Sequence, residues 1–510
     1  MKRQIYLLHR WLGIALCLFM AMWFFSGVVM MYVGYPKLTQ AERLAALPEL
    51  DGAACCASLQ RWLDTAGRSE APTALRLTTV AGQPRALLGY ANGAGHGKGG
   101  GRAELVALDG AEGGRVDGAT PAAALAAARA FMPGVATSYL DLVAEDPYTL
   151  SKALDGLRPL HRVQMDDEAE TRLYVSARTG EVVRDASAVE RDWNWVGSWI
   201  HWLYPFRGGA TDPLWNGIVT YTALAATVLA LLGMLVGVWR WRFSGTFRSG
   251  SHSPYREPWM RWHHVLGLLF GTLALSFIFS GLLSMNPFKV FDSGAPKAAQ
   301  AGRLSAAQFA LPAGEALRRL AASGFAAREL EWRVVDGAGY YLALDGQGRT
   351  RLLAAGAQAD VDFNTAPPFA AFDMARLRQL GGTLLAPHRI VAAEVLRQYD
   401  SYYYSREAHT MTGGPRHLPV LRLKFDDPYD SWLYLDPATG AVVKQVDGRQ
   451  RAKRWLFGLL HSWDWAPLIE RRPWWDLWMV AINAGGLLVS VSGIVLAWRR
   501  LRPRAARARA

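Results

Sequence analysis

Residues 214–285 decide the fold of this chain, because they hold two long apolar stretches with a basic one between them. Leu214 to Trp239 reads LWNGIVTYTALAATVLALLGMLVGVW, and Trp262 to Met285 reads WHHVLGLLFGTLALSFIFSGLLSM. A helix of about 20 apolar residues crosses a hydrocarbon core of about 30 Å. Each stretch therefore predicts a transmembrane helix, and the loop 240–261 lies on one side of the bilayer.

Two more stretches of the same kind lie near the two ends of the chain, at residues 9–33 and 474–498. The first is too long for the apolar part of a signal peptide, and no A-x-A cleavage site follows it. The 510 residues, of which 51% are hydrophobic and 19% charged, suit a mixture of membrane spans and globular domains. The sequence thus predicts an α-helical membrane protein with four transmembrane helices, at 9–33, 214–239, 262–285 and 474–498.

The net charge of +13 is concentrated beside these spans. Five arginines lie in the loop 240–261, six lie in the tail 499–510, and Lys2 and Arg3 precede the first span. Basic residues in this position indicate topology rather than nucleic-acid binding, and they place all three segments in the cytoplasm. We expect a bacterial inner-membrane protein, with periplasmic domains at 37–192 and 287–452 and interfacial aromatic segments at 193–212 and 453–472.

The two halves of the sequence repeat each other. The motif His9-Arg-Trp-Leu-Gly13 returns as His263-His-Val-Leu-Gly267, and Phe25-Ser-Gly27 returns as Phe279-Ser-Gly281, both at an offset of 254. Further along, the offset is 260, and the matched residues are His201 with His461, Trp215 with Trp475, and Gly233 with Gly493. Because each half begins and ends on the same side, the sequence predicts two tandem parallel repeats.

The outer domains have an α+β pattern. A helix is predicted at 121–131 after the cap Thr120, and strands are predicted at 161–165 and 172–176, then at 420–425 and 432–435.

Both domains share the pattern Tyr-x-x-x-x-Thr-Gly-x-Val-Val, which begins at Tyr174 and at Tyr434. With the two H-x-x-L-G motifs, the chain resembles the PepSY-associated transmembrane family. The resemblance implies two periplasmic PepSY-like domains. Family members include dihaem reductases that release iron from ferric siderophores, and others are known only as regulatory or iron-regulated membrane proteins.

Four histidines hold matched positions in the two halves, and we expect them to bind two b-type haems. His9 and His263 start the first and third spans and would ligate a cytoplasmic-side haem iron. His201 and His461 precede the second and fourth spans and would ligate a periplasmic-side haem iron. The alternative is that these histidines only anchor the span ends at the interface. His264 is an alternative to His263, although only His263 is in register with His9.

The predicted function is electron transfer across the membrane to a periplasmic ferric siderophore or another ferric chelate. No dinucleotide-binding or flavin motif occurs, so the unknown donor would be a quinol or a cytoplasmic reductase. The rival interpretation is a non-redox PepSY membrane protein that binds or regulates a periplasmic partner or peptidase. A transporter is a third possibility, although no span carries an acidic site at its middle. Cys55 and Cys56 either form a vicinal disulfide or pair with nothing.

Overall fold

The computed structural model describes residues 1–90, 104–208, 211–298, 302–357, 362–406, 409 and 414–502. The end of the predicted basic tail, 503–510, lies outside the described residues. Two stretches of chain between membrane helices carry all the strands that the structure describes. We call residues 33–211 the first outer segment and residues 285–473 the second outer segment.

Four helices in the described part of the chain are long and apolar enough to cross a membrane, so the chain is a membrane protein. They are M1 (Lys2–Tyr32), M2 (Asp212–Arg240), M3 (Pro258–Ser284) and M4 (Trp474–Leu501). M1 begins at Lys2 and M3 at Pro258, several residues before the predicted spans. The difference arises because the apolar stretch marks the part inside the bilayer, whereas the polar turns before it are helical as well.

The four helices form a ring in which M1 and M3 each pack against both M2 and M4. The Lys2 ammonium lies 5.6 Å from the Trp239 ring centroid, and Glu257 bonds Arg499 at 2.6 Å. These contacts join the starts of M1 and M3 to the ends of M2 and M4 on one face, which we call the loop side. The opposite face, from which the outer segments leave, is the sheet side.

An apolar core fills the centre of the ring. It contains Met20, Phe24, Ala226, Leu229, Ala274, Phe277, Ile278, Trp475, Met479 and Ile482. Glycines of M4 allow the aromatic rings to approach closely: a Cβ at Gly486 would lie 2.5 Å from Phe24, and one at Gly485 would lie 2.2 Å from Phe270. Small residues have this role in many membrane bundles.

The outer segments contain fourteen described strands in three antiparallel sheets. The strands are β1 (Ala74–Val80), β2 (Gln83–Tyr90), β3 (Glu104–Asp109), β4 (Thr137–Val143), β5 (Leu160–Met165), β6 (Arg172–Ser176), β7 (Val182–Ala186), β8 (Glu329–Val335), β9 (Ala338–Leu344), β10 (Thr350–Ala354), β11 (Ile390–Leu396), β12 (Val420–Phe425), β13 (Trp432–Leu435) and β14 (Val442–Val446). The outer helices are Gln40–Ala46, Leu59–Ala66, Pro121–Phe131, Ala188–Asn194, Ala313–Ala322, Met374–Leu384, Gly448–Lys453, Leu460–Ser462 and Ala466–Ile469.

One sheet is shared by the two outer segments. Its order is β10-β9-β8-β1-β2-β3, and β1 joins β8 through the pairs Arg76 with Glu331 and Leu77 with Leu330. A common core lies against it, where the rings of Trp62 and Trp332 meet edge to face at 5.5 Å. The sequence suggested two separate outer domains, whereas the first strands of both segments form a single unit.

Each segment also has a four-stranded sheet of its own, in the order β4-β5-β6-β7 or β11-β12-β13-β14. One helix packs on each, Pro121–Phe131 on the first and Met374–Leu384 on the second. The first helix has the predicted bounds, and the Thr120 hydroxyl caps it by accepting a hydrogen bond from the Ala123 N–H.

Buried charges tie the shared sheet to the rest of the first segment. Arg76 contacts Glu181 at 2.8 Å and Glu329 at 3.0 Å, and Arg43 contacts Glu329 at 2.6 Å. Burial by itself would raise the pKa of Glu329, but the two arginines outweigh it and lower that pKa. Removing one member of such a buried set leaves the others uncompensated. In the loop before Leu59, Cys55 and Cys56 are joined by a disulfide.

Candidate cofactor site

The two aromatic segments on the sheet side turn back toward the bundle and bring His201 and His461 to it. The first passes through a π-helical turn at Trp195–Trp199 and the second through one at Arg454–Leu459. An indole N–H group bonds each aromatic segment to the membrane helix that follows it. Trp215 donates to the carbonyl of Trp202 at 2.7 Å, and Trp475 donates to the carbonyl of Ser462 at 2.9 Å. The residue after each histidine is thus bonded to the first turn of the next membrane helix.

The rings of His201 and His461 face each other with their centroids 6.4 Å apart and their planes at 71°. Nδ1 of His201 lies 2.9 Å from the Ser26 hydroxyl oxygen, and Nδ1 of His461 lies 3.1 Å from that of Ser280. Both hydroxyls donate their own proton to a carbonyl one turn back in the same helix. Each serine oxygen therefore accepts from an Nδ1–H, which leaves Nε2 with a free lone pair.

The rings of His9 and His263 form an equivalent pair at the loop side of the bundle, with centroids also 6.4 Å apart and planes at 36°. Nδ1 of His263 lies 2.9 Å from the Ser492 hydroxyl, which donates to a carbonyl of its own helix. Nδ1 of His9 is buried and makes no hydrogen bond to the described residues, although the backbone of Leu229 lies nearby. Leu232 stands at the position that Ser492 holds in the second half.

A glycine lies beside each of the four rings, on the neighbouring helix. An added Cβ would lie 2.8 Å from Cε1 of His9 at Gly233, 3.7 Å from that of His263 at Gly493, 3.9 Å from that of His201 at Gly27, and 3.7 Å from that of His461 at Gly281. The closest of these contacts leaves no room for a side chain. The absence of a Cβ is therefore required beside His9, whereas at the other three rings an added Cβ would make an ordinary contact.

The spacing of both pairs fits one metal ion between two imidazoles. A metal–imidazole bond is about 2 Å long, and a ring nitrogen lies roughly 1 Å from the ring centre. Two rings on opposite sides of one ion then have centroids about 6 Å apart. Two neutral nitrogens in an apolar slot are a donor set that suits haem iron. Among the described residues, no group of three or more His, Cys, Asp or Glu side chains is arranged for a metal ion.

His264, the alternative to His263, has both ring nitrogens occupied. Its Nδ1 lies 2.8 Å from the Ser253 hydroxyl, and its Nε2 lies 2.9 Å from the carbonyl of Gly237. The ring is 7% exposed and contacts Trp241 and Tyr255 edge to face. His264 therefore holds the loop between M2 and M3 against the bundle, and neither of its ring nitrogens is left for a ligand.

Sequence reasoning missed the serines that fix the imidazoles. Ser26 and Ser280 lie inside the repeated Phe-Ser-Gly motif, and their retention at the offset of 254 was a usable signal. Asn483 was also missed: it is 4% exposed in M4, and its Oδ1 would lie 3.3 Å from a Cβ at Gly27. Its Nδ2 donates to the carbonyl of Met479 at 2.8 Å, so the amide oxygen faces the sheet-side pair.

The family of the chain follows from comparison with known proteins. The family model described as the PepSY-associated TM region matches residues 6–384. This match covers M1, M2, M3 and the first outer segment, and it extends into the second outer segment as far as the helix Met374–Leu384. No match to a curated protein is found. The match extends over more than half of the sequence, and the chain belongs to the family of the PepSY-associated TM region.

Proposed function

We propose that the chain is a bacterial inner-membrane oxidoreductase that carries two b-type haems and reduces a periplasmic ferric chelate. His9 and His263 would hold one haem iron at the loop side, and His201 and His461 would hold the other at the sheet side. The observation that carries the proposal is the presence of two facing imidazole pairs with the same ring separation.

The polar contacts of the histidines support this assignment over a role as interfacial anchors. An anchoring histidine directs its nitrogens to water or headgroups, whereas three of these rings direct Nδ1 to a buried or half-buried serine. Histidines that bind metals usually donate their second N–H in this way, which fixes the ring and its tautomer. Among the described residues, Nε2 of these rings makes no hydrogen bond and is left for a ligand.

When bound, haem would supply a one-electron carrier near each face of the bilayer. At His201, His263 and His461 the chain holds a proton at Nδ1 and keeps Nε2 unprotonated. The apolar core excludes water from the space between the pairs. His9 and Gly27 are eighteen residues apart on M1, which corresponds to roughly 27 Å of helix. Phe24 and Phe277 occupy the core between these levels, with their centroids 6.5 Å apart.

The substrate in this proposal is a ferric chelate, which accepts one electron and then releases Fe(II), because hard oxygen ligands hold Fe(II) less tightly than Fe(III). The donor would be a quinol or a cytoplasmic reductase. The basic loop between M2 and M3 supports a cytoplasmic loop side and a periplasmic sheet side. The element order of the two outer segments, with matched histidine positions, supports an origin as two tandem parallel repeats.

The proposal is tested by the haem content of single variants. His201→Ala or His461→Ala should leave one haem per chain instead of two, measured as the ratio of haem to protein in the purified protein. His264→Ala is the matched control, since both nitrogens of that ring are already bonded, and it should keep two haems. If both alanine variants of the sheet-side pair keep two haems, those histidines are anchors.

The acceptor is tested separately, by adding ferric chelates to the reduced protein without oxygen and trapping Fe(II) with ferrozine. Reoxidation of the haems together with Fe(II) release is the expected result. Protein that holds two haems but is reoxidised by no ferric chelate would be a membrane cytochrome with another acceptor. Protein purified without haem, and unable to bind added haem, would favour the non-redox interpretation.

A further inference from the structure

The two outer segments differ in charge. In the first predicted domain, 37–192, Asp and Glu outnumber Lys and Arg, whereas in the second, 287–452, Lys and Arg outnumber Asp and Glu. Both segments lie on the sheet side, where the first adds net negative charge and the second adds net positive charge. This asymmetry bears on which ferric chelates the proposed reductase would take.

In the part of the chain that the structure describes, two cations of the second segment form no ion pair with a carboxylate. Among the described residues, neither Lys444 nor Arg416 has an Asp or Glu within ion-pair distance; Lys444 donates to the Tyr402 carbonyl and Arg416 to the Val443 carbonyl at 3.0 Å. Both side chains are half-buried. We call the surface formed by Tyr402, Arg416 and Lys444 the cationic patch.

The environment of Lys444 makes its charge costly without a counter-ion. Burial, and then repulsion by Arg416 and Arg454, lower the pKa of Lys444 to about 8. Asp400 opposes this effect, but its carboxylate is bonded by Arg422 at 2.5 Å. A bound anion would relieve the repulsion, because its negative charge would offset the charge of the neighbouring cations.

The cationic patch is connected to the segment that carries His461. Arg454, seven residues before this histidine, donates to the carbonyl of Ser401 at 2.6 Å and pairs with Asp464 at 2.8 Å. The Tyr404 hydroxyl donates to the same carboxylate. The loop 400–404 is thus bonded both to the patch and to the segment that carries His461.

The equivalent surface of the first segment is closed. There Arg184 stands at the offset position of Lys444 and is 6% exposed, with the Tyr35 ring 5.6 Å from its guanidinium carbon. The Tyr35 hydroxyl donates to the carbonyl of Pro147 at 3.0 Å and accepts from the Leu150 N–H at 2.8 Å, which seals the surface. At the offset of 254, Tyr35 corresponds to Lys289, which is exposed, so the second segment lacks the tyrosine that covers Arg184 in the first.

We propose that the cationic patch of the second outer segment binds the ferric chelate, and that the chelate taken by this protein is anionic. The inference rests on the proposed function and adds the charge class of the substrate and its docking surface. Tyr402 and the partly exposed Trp455, whose indole N–H donates to the Tyr402 hydroxyl at 3.0 Å, would supply aromatic contact beside the two cations.

The test is the binding of gallium(III) chelates, which have the charge and shape of the ferric complexes but are not reduced. The probes are an anionic gallium tricatecholate and a cationic gallium complex of a linear trihydroxamate with a free ammonium group. The full-length protein in detergent should bind the anionic complex about tenfold more tightly, as two uncompensated half-buried cations would require. Lys444→Met and Arg416→Gln should each weaken that binding about fivefold.

Two further variants complete the test. Lys444→Arg retains the charge and should restore binding, whereas Lys152→Gln removes an exposed cation of the first segment and should leave binding unchanged. Equal affinity for the two complexes, or wild-type affinity in Lys444→Met, would overturn the proposal. Because gallium accepts no electron, that result would leave the reductase function standing; failure of the reductase function would appear instead in haem content and Fe(II) release.

Discussion

Replacing Gly233 with alanine should selectively damage the loop-side histidine pair. The new methyl group would lie 2.8 Å from Cε1, 3.4 Å from Nδ1 and 3.7 Å from Nε2 of His9. Ordinary contacts between carbon atoms are about 3.5–4.0 Å, so the ring must move by roughly 0.7–1 Å. Of the four rings, His9 has the least to resist this movement, since its Nδ1 has no serine partner.

The cost follows from these distances. Overpacking of this size costs about 1–3 kcal/mol in a packed interior. Because 1.4 kcal/mol is a factor of ten in binding, haem affinity at the loop side should fall by roughly fivefold to 150-fold. The helix itself should not be weakened, since alanine is favoured over glycine in a helix interior by about 1 kcal/mol. The damage is therefore expected in the site rather than in the fold.

The assay is a haem titration of the purified protein. It is combined with the low-temperature electron paramagnetic resonance spectrum, which identifies ferric haem with two imidazole ligands. Gly267→Ala is the matched control, because nothing lies within 4 Å of its added Cβ in M3. Gly493→Ala is a second control, with 3.7 Å to Cε1 of His263, an ordinary contact. Two haems with unchanged spectra in Gly233→Ala, or equal loss in Gly267→Ala, would refute the reasoning.

Three further predictions concern topology, anchoring and pH. Reporter fusions after Arg248 should indicate cytoplasm and fusions after Gly356 periplasm; the reverse result would invert the proposed orientation. Ser280→Ala should weaken haem binding at the sheet side at least about tenfold, unlike Ser284→Ala, whose hydroxyl bonds only its own helix. Burial, together with two nearby glutamates, raises the pKa of Asp185 to about 6, so its ionisation opposes folding as the pH rises from about 4 to 6. Asp185→Asn should therefore raise the unfolding temperature at pH 7.5, followed by tryptophan fluorescence, and the gain should disappear near pH 4.

The membrane helices and the outer helix at 121–131 were predictable because their signals are local. A span is recognised by the length of its apolar stretch, and Thr120 followed by Pro121 marks a helix start within a few residues. The helix ends in the bilayer interface were less predictable. Lys2 and Pro258 lie outside the apolar stretch, yet they continue the helices that it defines.

The candidate site was predictable only for residues that are identical at matched positions in the two halves of the sequence. The offsets between the halves paired His9 with His263 and His201 with His461, and the structure brings the same rings within 6.4 Å. Ser492 could not be found in this way, because the matched position in the first half is Leu232. The shared sheet was beyond sequence reasoning for a related reason: an alternating pattern identifies a strand, but the partner of β1 lies some 250 residues away.

The antiparallel pairing of β1 with β8 implies that neither half is complete by itself. A chain cut to one half would expose the edge of its first strand, with unpaired N–H and C=O groups in a row. A two-fold axis between Arg76 and Leu77 would let that edge pair with the same edge of a second copy, as in an isologous dimer. Two identical half-length chains, associated through this strand and through their membrane helices, would then bring together the same two histidine pairs. The shared sheet therefore makes the two halves of the chain interdependent, because each supplies the strand that covers the other's edge.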